Sequence, residues 1–284
     1  MPEKMPIPTS WLPTQHVLEM NEVFEDVDGR FDFSGTLIVY QVNSELHHAF
    51  SKDRYSSRSD VNAKHFRNDI QIPISAYNPS FPSELTRAPN SIQAESFVKK
   101  PRLISYDQIH EGPRPMLIAE SLLREAKVCE LLINCKHPNL ATYHGCQVSD
   151  GRITGLCFAR YQRTLMQEVN PNSFMKRKSR AMRRTMGDYS GVLAGIESGI
   201  KHLHSLGLVH NDINPSNIML DGDQAVIIDF GSCRSIGESL QGVGRTYEWY
   251  DEKVQLSIPE NDLTALEEIR IWLNGDSLEF QFDE

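Results

Sequence analysis

Apolar and polar positions change rhythm several times along the chain. In EVFEDVDGRFDFSGTLIVYQV, residues 22–42, β-favouring residues flank Asp28-Gly29. That dipeptide is a turn signal, so Leu37, Val39 and the aromatics around them predict strands. IQIPI, residues 70–74, alternates and predicts a short edge strand, and SFVKKPRLISY, residues 96–106, is strand-like again. Polar stretches separate them. Residues 1–20, rich in Pro and polar side chains, predict a flexible N-terminal segment. Residues 51–69 predict a mobile loop, and the Pro- and Ser-rich residues 78–96 a connector. Between 117 and 134 the rhythm turns helical: Leu122, Ala126, Cys129 and Ile133 step by four, three and four and share one face. Pro138 in KHPNL ends any helix. LATYHGCQV and RITGLCFARY then predict two strands, giving a small sheet with one helix on it.

The second half reads differently. YSGVLAGIESGIKHLHSLG, residues 189–207, predicts a helix with Leu193, Ile196, Ile200 and Leu203 as its apolar stripe and Gly207 as its C-terminal cap. Gly191, Gly195 and Gly199 recur every fourth residue. Glu197, Lys201 and His202 exclude a membrane span, so the glycines predict close packing inside a domain. LVH and IML read as short strands flanking a loop, AVIID as a buried strand, and DLTALEEIRIWL, residues 262–273, as a further helix.

Composition narrows the function classes. With 39% hydrophobic and 24% charged residues in 284, this is an ordinary soluble composition with no run long enough to span a bilayer. MPEKMPIPTSWLPTQ lacks the pattern of a secretory signal. The five cysteines, at 129, 135, 146, 157 and 233, make no CxxC pair and predict reduced, buried thiols. Together these predict a cytoplasmic or nuclear protein without a membrane partner. The net charge of −9 argues against nucleic acid as a partner. KRKSRAMRR, residues 176–184, runs against that balance. It reads as a solvated linker before a helix in preference to a nuclear-localisation signal or a patch for an acidic partner.

The chemistry gathers in LVHNDINPSNIML, residues 208–220, and the following IIDFGS. Asp212 and Asn217 lie five apart on a loop, and Asp229 lies twelve beyond Asn217 at a strand end. Mg²⁺ takes oxygen ligands, usually one or two from the protein with the rest from phosphates and water. Asn217 and Asp229 suit that role as metal ligands. Asp212 is then free to align a hydroxyl nucleophile, which is most of what phosphoryl transfer needs.

HNDINPSN followed by IDFG resembles the catalytic loop and metal-binding loop of the protein-kinase superfamily. The resemblance implies an α+β, two-lobed fold: a small, mainly β N-lobe with one helix, and a mainly α C-lobe truncated after the helix starting near Asp262. It divides the chain into the flexible segment 1–20, an extension 21–94 whose strands complete the N-lobe, the N-lobe and hinge 95–161, and a shortened C-lobe 162–284. In FVKKP, Lys99 matches the lysine that holds the ATP phosphates, with Lys100 as competitor. With Phe97 inward, Lys99 points inward too. The family's lysine partner matches Glu125, about 60° from Leu122 on the helix, ahead of Glu130 at about 80° and Glu120 at about 160°. GLCFARY resembles the hinge that meets adenine, and Asp262 the buried aspartate that braces the catalytic loop. The likeness covers roughly residues 95–275 and is closest to a group of kinase-like proteins abundant in filamentous fungi.

Three departures bear on activity. No GxGxxG precedes Lys99; Gly29 and Gly35 have the wrong spacing and suit a hairpin. Asn211 stands where the family's arginine meets an activating phosphate, and Asn214 where a lysine meets the transferred one, leaving Arg234 or Arg245 to compensate. The chain ends about twenty residues after Asp262, so the arginine that usually pairs with the acid matched by Glu248 is missing. The resemblance implies an ATP- and Mg²⁺-dependent protein serine/threonine kinase acting on a protein substrate, with slow turnover. A pseudokinase that binds nucleotide or a partner is the alternative, then a small-molecule kinase. His210 reads as a packed core histidine.

Overall fold

Asp28 and Gly29 have φ of 54° and 79°. Two successive left-handed residues make the hairpin turn whose twist matches antiparallel strands, and the Gly29 N–H donates to Asp26 Oδ1 at 2.8 Å. This turn joins β1 (Gln15–Val27) to β2 (Arg30–Val42). The structure, a computed structural model, describes residues 15–182, 187–274 and 280–282. In chain order the remaining elements are β3 (Glu45–Ser51), β4 (Arg67–Ile72), α1 (Asn90–Gln93), β5 (Phe97–Lys99), α2 (Tyr106–Ile109), α3 (Leu117–Asn134), β6 (Tyr143–Ser149), β7 (Arg152–Phe158), β8 (Arg163–Thr164), α4 (Leu165–Val169), α5 (Lys176–Met182), α6 (Ser190–Ser205), β9 (Leu208–Val209), β10 (Ile218–Asp221), β11 (Gln224–Ile227), β12 (Arg234–Ser235) and α7 (Pro259–Asn274). Among the described residues no helix is long and apolar enough to cross a membrane. Residues 15–80 with 100–122 make one compact unit, and 81–99 with 123–282 the other.

The first unit is an antiparallel sheet in the order β1-β2-β3-β4. Successive residues Ile38, Val39 and Tyr40 of β2 are all buried, so both faces are covered. Val39, Ile72, Leu103 and Tyr106 pack on one face. On the other, Ile38, Tyr40 and Ala49 meet Tyr55, Val61 and Phe66. Residues 51–69, expected to be a mobile loop, therefore supply a packed cover and pass into β4. The flexible lead expected for 1–20 gives way to β1 at Gln15; residues 1–14 lie outside the described residues. The strands between 15 and 72 pair with one another and not with β5. They form a sheet of their own. β3 escaped the sequence reading because its polar face carries His47 while buried His48 faces inward, blurring the alternation.

In the second unit the sheet order is β5-β7-β6. The expected strand 96–106 is cut to three residues, since Pro101 offers no N–H to a ladder. Residues 86–88 run along β6: Cys146 N donates to Thr86 O at 2.7 Å and Ala88 N to Cys146 O at 2.9 Å. Gly145 sits beneath that crossing with φ 120°, where a Cβ would lie 2.7 Å from Ala88 N. The helix read over 189–207 is α6, and Leu193, Ile196, Ile200 and Leu203 are buried as its stripe. A Cβ on Gly195 would come within 2.8 Å of Asn139 Nδ2, and one on Gly199 within 2.8 Å of Ile227 Cδ1. Gly195 and Gly199 thus let α6 press on Asn139 and β11, whereas Gly191, expected to pack closely too, has open space where a Cβ would stand. Asn139 Nδ2 donates to Ala225 O at 2.8 Å, fixing the strand that leads to Asp229. The five cysteines are free thiols, four of them buried.

Candidate functional site

The loop after β9 is shaped by Asp262 at the start of α7. Its fully buried carboxylate accepts His210 N and Asn211 N, each at 2.8 Å, and His204 Nε2 at 2.9 Å. Asn211 takes φ 63°, a region asparagine tolerates better than most side chains. His210 is buried, its Nε2 donating to Ile228 O at 3.0 Å and its Nδ1 accepting Asp212 N at 3.3 Å. It is a packed histidine that links the loop to the end of β11. Asn214 Oδ1 accepts Ser216 N at 2.9 Å and caps the single turn Pro215–Asn217. That turn brings Asn217 back to Asp212: Asn217 Nδ2 lies 2.9 Å from both the main-chain oxygen and Oδ2 of Asp212.

Ile228 N donates to Asn217 O at 2.9 Å, delivering Asp229 next to this loop. Asp229 has φ 64° and its Oδ1 accepts Gly231 N at 3.3 Å. Lys99 Nζ lies 2.7 Å from each Glu125 oxygen and 2.8 Å from Asp229 Oδ1. One ammonium thus joins β5, α3 and the loop after β11. Burial alone would lower the Lys99 pKa, but Glu125 and then Asp229 overcome it and hold the ammonium above the ordinary lysine value. Burial pushes Glu125 above the usual carboxylate value against the pull of Lys99. Burial also acts to raise Asp229, but there Lys99 wins and keeps that carboxyl below its ordinary value. Burial raises Asp212, with the Thr246 hydrogen bonds pulling the other way.

Thr246, two residues before Glu248, meets the Asp212 carboxylate. Its N–H donates to Asp212 Oδ1 at 2.7 Å and its hydroxyl to Oδ2 at 3.1 Å, while Asn214 Nδ2 donates to Thr246 Oγ1 at 3.0 Å. Asn214 replaces the resemblance's positive charge with this neutral link. A threonine in a segment read only for its acid at Glu248 gave little to find it by.

The competing residues have other work. Glu120 pairs with Arg114, and Glu130 accepts Thr86 N at 2.9 Å. Lys100 is exposed. Phe97 shares the parity of Lys99 but is 52% exposed, so their common face is open and Phe97 is not an inward residue. Gly29 forms the hairpin turn, and a Cβ on Gly35 would strike Phe50 at 2.2 Å. Arg245 donates to Asp251 O and Val254 O and lies over the Tyr250 ring at 4.0 Å. Arg234 Nη1 donates to Cys233 O at 2.7 Å and Gly231 O at 3.1 Å. Glu248 finds a partner in the basic run: Lys176 N donates to its Oε2 at 3.1 Å and Lys176 Nζ to its main-chain oxygen at 2.7 Å. Lys176 is buried in α5, which corrects the reading of the run as a solvated linker; Arg183 and Arg184 lie outside the described residues. A small cavity bordered by Leu132, Cys135, His137 and Tyr143 contains none of the site residues.

Residues 98–252, more than half of the chain, match the family of the protein kinase domain. The chain belongs to that family. Among individual proteins, the kinase domain is similar to the serine/threonine-protein kinase/endoribonuclease IRE1 of Hypocrea jecorina, 30% identical over 115 residues, 39% of this chain and 9% of that protein. It is similar to the serine/threonine-protein kinase TAO3 of Xenopus laevis, 26% identical over 160 residues, 55% of this chain and 16% of that protein. Against the serine/threonine-protein kinase ELM1 of Saccharomyces cerevisiae it is 45% identical over 51 residues, 17% of this chain and 8% of that protein. The chain spans less than a fifth of the length of each. Within this kinase domain the described residues hold no group of three or more His, Cys, Asp or Glu that could cage a metal. The oxygen donors of Asn217 and Asp229 suit a cation that takes its other ligands from phosphate and water.

Proposed function

We propose that the chain is a protein serine/threonine kinase that transfers the γ-phosphate of ATP, with Mg²⁺, to a hydroxyl of a protein substrate. The observation that carries this reading is Lys99 Nζ within 2.8 Å of both Glu125 and Asp229, beside Asp212 bonded to Asn217. Lys99, held by Glu125, orients the nucleotide phosphates. Asn217, its amide nitrogen given to Asp212, offers its oxygen to the metal together with the ionised Asp229. Bound there, Mg²⁺ would neutralise phosphate charge. Asp212 orients the attacking hydroxyl and accepts its proton as the new O–P bond forms and the bond to ADP breaks. Thr246 fixes both Asp212 oxygens until the acceptor hydroxyl arrives. Lys176 provides Glu248 with a buried partner. A place in the fungal kinase-like group and a cytoplasmic or nuclear location belong to the same reading.

The neutral Asn214, hydrogen-bonded to Thr246 where a charged group would face the phosphate, favours slow transfer and keeps a pseudokinase as the second reading. The deciding experiment follows label from γ-phosphate into the chain itself, a generic basic protein, and small alcohols such as choline and sugars. Protein labelling is expected. Labelling of small alcohols alone contradicts the protein substrate, and Mg-ATP binding with no labelling favours the pseudokinase. The raised pKa of Asp212 adds a pH signature. Because the base must be ionised, kcat/KM should fall on the acid side at a pH above the ordinary aspartate range of about 3.9. A profile flat through that range would contradict Asp212 as the base.

A further inference from the structure

We propose that Glu238 serves as a built-in counterpart of an activating phosphate, its carboxylate tying helix α3 to the segment that follows Asp229. Kinase segments of this kind are ordered elsewhere by a phosphate that gathers arginines. Here the anion and both cations belong to the chain. Glu238 Oε1 lies 3.7 Å from Arg124 Nη1 and 3.7 Å from Arg234 Nε. Its Oε2 accepts Ser235 N at 3.2 Å, which fixes the carboxylate's direction. Arg124 immediately precedes Glu125, the partner of Lys99. Arg234, only 8% exposed on its side chain, donates to Gly231 O two residues after Asp229. The carboxylate therefore spans the two elements whose side chains meet at Lys99.

Asn211 explains why an added phosphate would find no cation in the loop. Its side chain is buried and engaged, Nδ2 donating to Val209 O at 2.9 Å and Ser257 Oγ at 3.0 Å and Oδ1 accepting Asn261 Nδ2 at 2.9 Å. The segment around Glu238 is also held by its own backbone. Gly237 N donates to Ser257 O at 2.7 Å, Ser257 N to Glu238 O at 2.8 Å, and Leu240 N to Gln255 O at 2.9 Å. An ordered segment with an internal anion needs no modification to reach this arrangement.

The inference rests on the kinase reading for its effect on nucleotide, so its test has two arms. Full-length wild type, Glu238→Gln, Arg124→Gln, the double variant and Arg124→Lys are compared. In nucleotide-free protein, amide hydrogen exchange is expected to rise in both α3 and residues 229–240 for each Gln variant. Calorimetry is expected to show Mg-ATP affinity weakened about threefold to fivefold, the scale of a partly exposed ion pair. The double variant should be no worse than either single, and Arg124→Lys should stay near wild type. Phosphatase treatment should leave wild-type affinity unchanged. Additive singles, exchange changes confined to residues 235–240, or loss of affinity on phosphatase treatment would overturn the proposal. If wild type binds no Mg-ATP the kinase reading fails, while the exchange arm still decides whether Glu238 couples the two elements.

Discussion

Asp212→Asn is expected to slow γ-phosphate transfer about a thousandfold, the scale of losing a positioned base, while Mg-ATP affinity stays close to wild type. The substitution preserves shape, and the amide oxygen can still accept Thr246 N in place of Oδ1. The amide cannot take a proton, and its NH₂ would face Asn217 Nδ2, which now donates to Oδ2 at 2.9 Å. Two donors would then oppose each other, a local cost of about 1 kcal/mol. Single-turnover rates with labelled ATP, calorimetric affinity and a melting curve separate the two effects. Transfer that survives with a normal rate would remove Asp212 from its role. Loss of transfer together with loss of fold would leave the chemistry to Thr246→Val, which keeps the Asp212 carboxylate and deletes only one of its hydrogen bonds.

Lys176→Met is expected to destabilise the unit containing it by about 3–5 kcal/mol, because it strands a buried carboxylate. Lys176 Nζ lies 2.6 Å from Glu268 Oε2, and both side chains have zero exposure. The ammonium also donates to Glu248 O at 2.7 Å and Phe282 O at 3.2 Å and lies 4.3 Å from the Phe280 ring centroid. Glu248 has φ 69°, a strained setting for a non-glycine residue, and Lys176 holds it from both its side chain and its main chain. For a chain of this size the melting temperature should fall by about 10 °C. Adding Glu268→Leu should recover a good part of that loss, since the unpaired charge is gone. A single variant that melts within about a degree of wild type would contradict the pairing.

Much of the site was legible because its residues are close in number or fixed in type. Asp212, Asn217 and Asp229 flank short apolar strands whose pairing gives them little freedom. Glu125 was separable from Glu120 by helical angle and from Glu130 by the family pattern that it matches, and each rival has its own partner. The helices α3 and α6 declared themselves through stripes that are buried in the fold, except for half-buried Ile133 at the end of α3. What the sequence hid depended on tertiary partners. Lys176 looks like one more surface cation until Glu268, 92 residues on, is seen beside it. Thr246 matters only because its segment folds back 34 residues to Asp212. Strands β1, β2 and β4 were readable as strands, but nothing in their local pattern says that they pair with one another and with β3 in a sheet of their own. The cover formed by Tyr55, Val61 and Phe66 was hidden by the polar residues around them.

The most direct test is the melting temperature of the purified chain with saturating Mg-ATP, in wild type and in Asp229→Ala. At about one hundred times the dissociation constant, binding adds about 2.7 kcal/mol, so wild type should gain several degrees and Asp229→Ala none. No gain in wild type, or an equal gain in both proteins, would contradict a nucleotide and metal held by Lys99, Asn217 and Asp229.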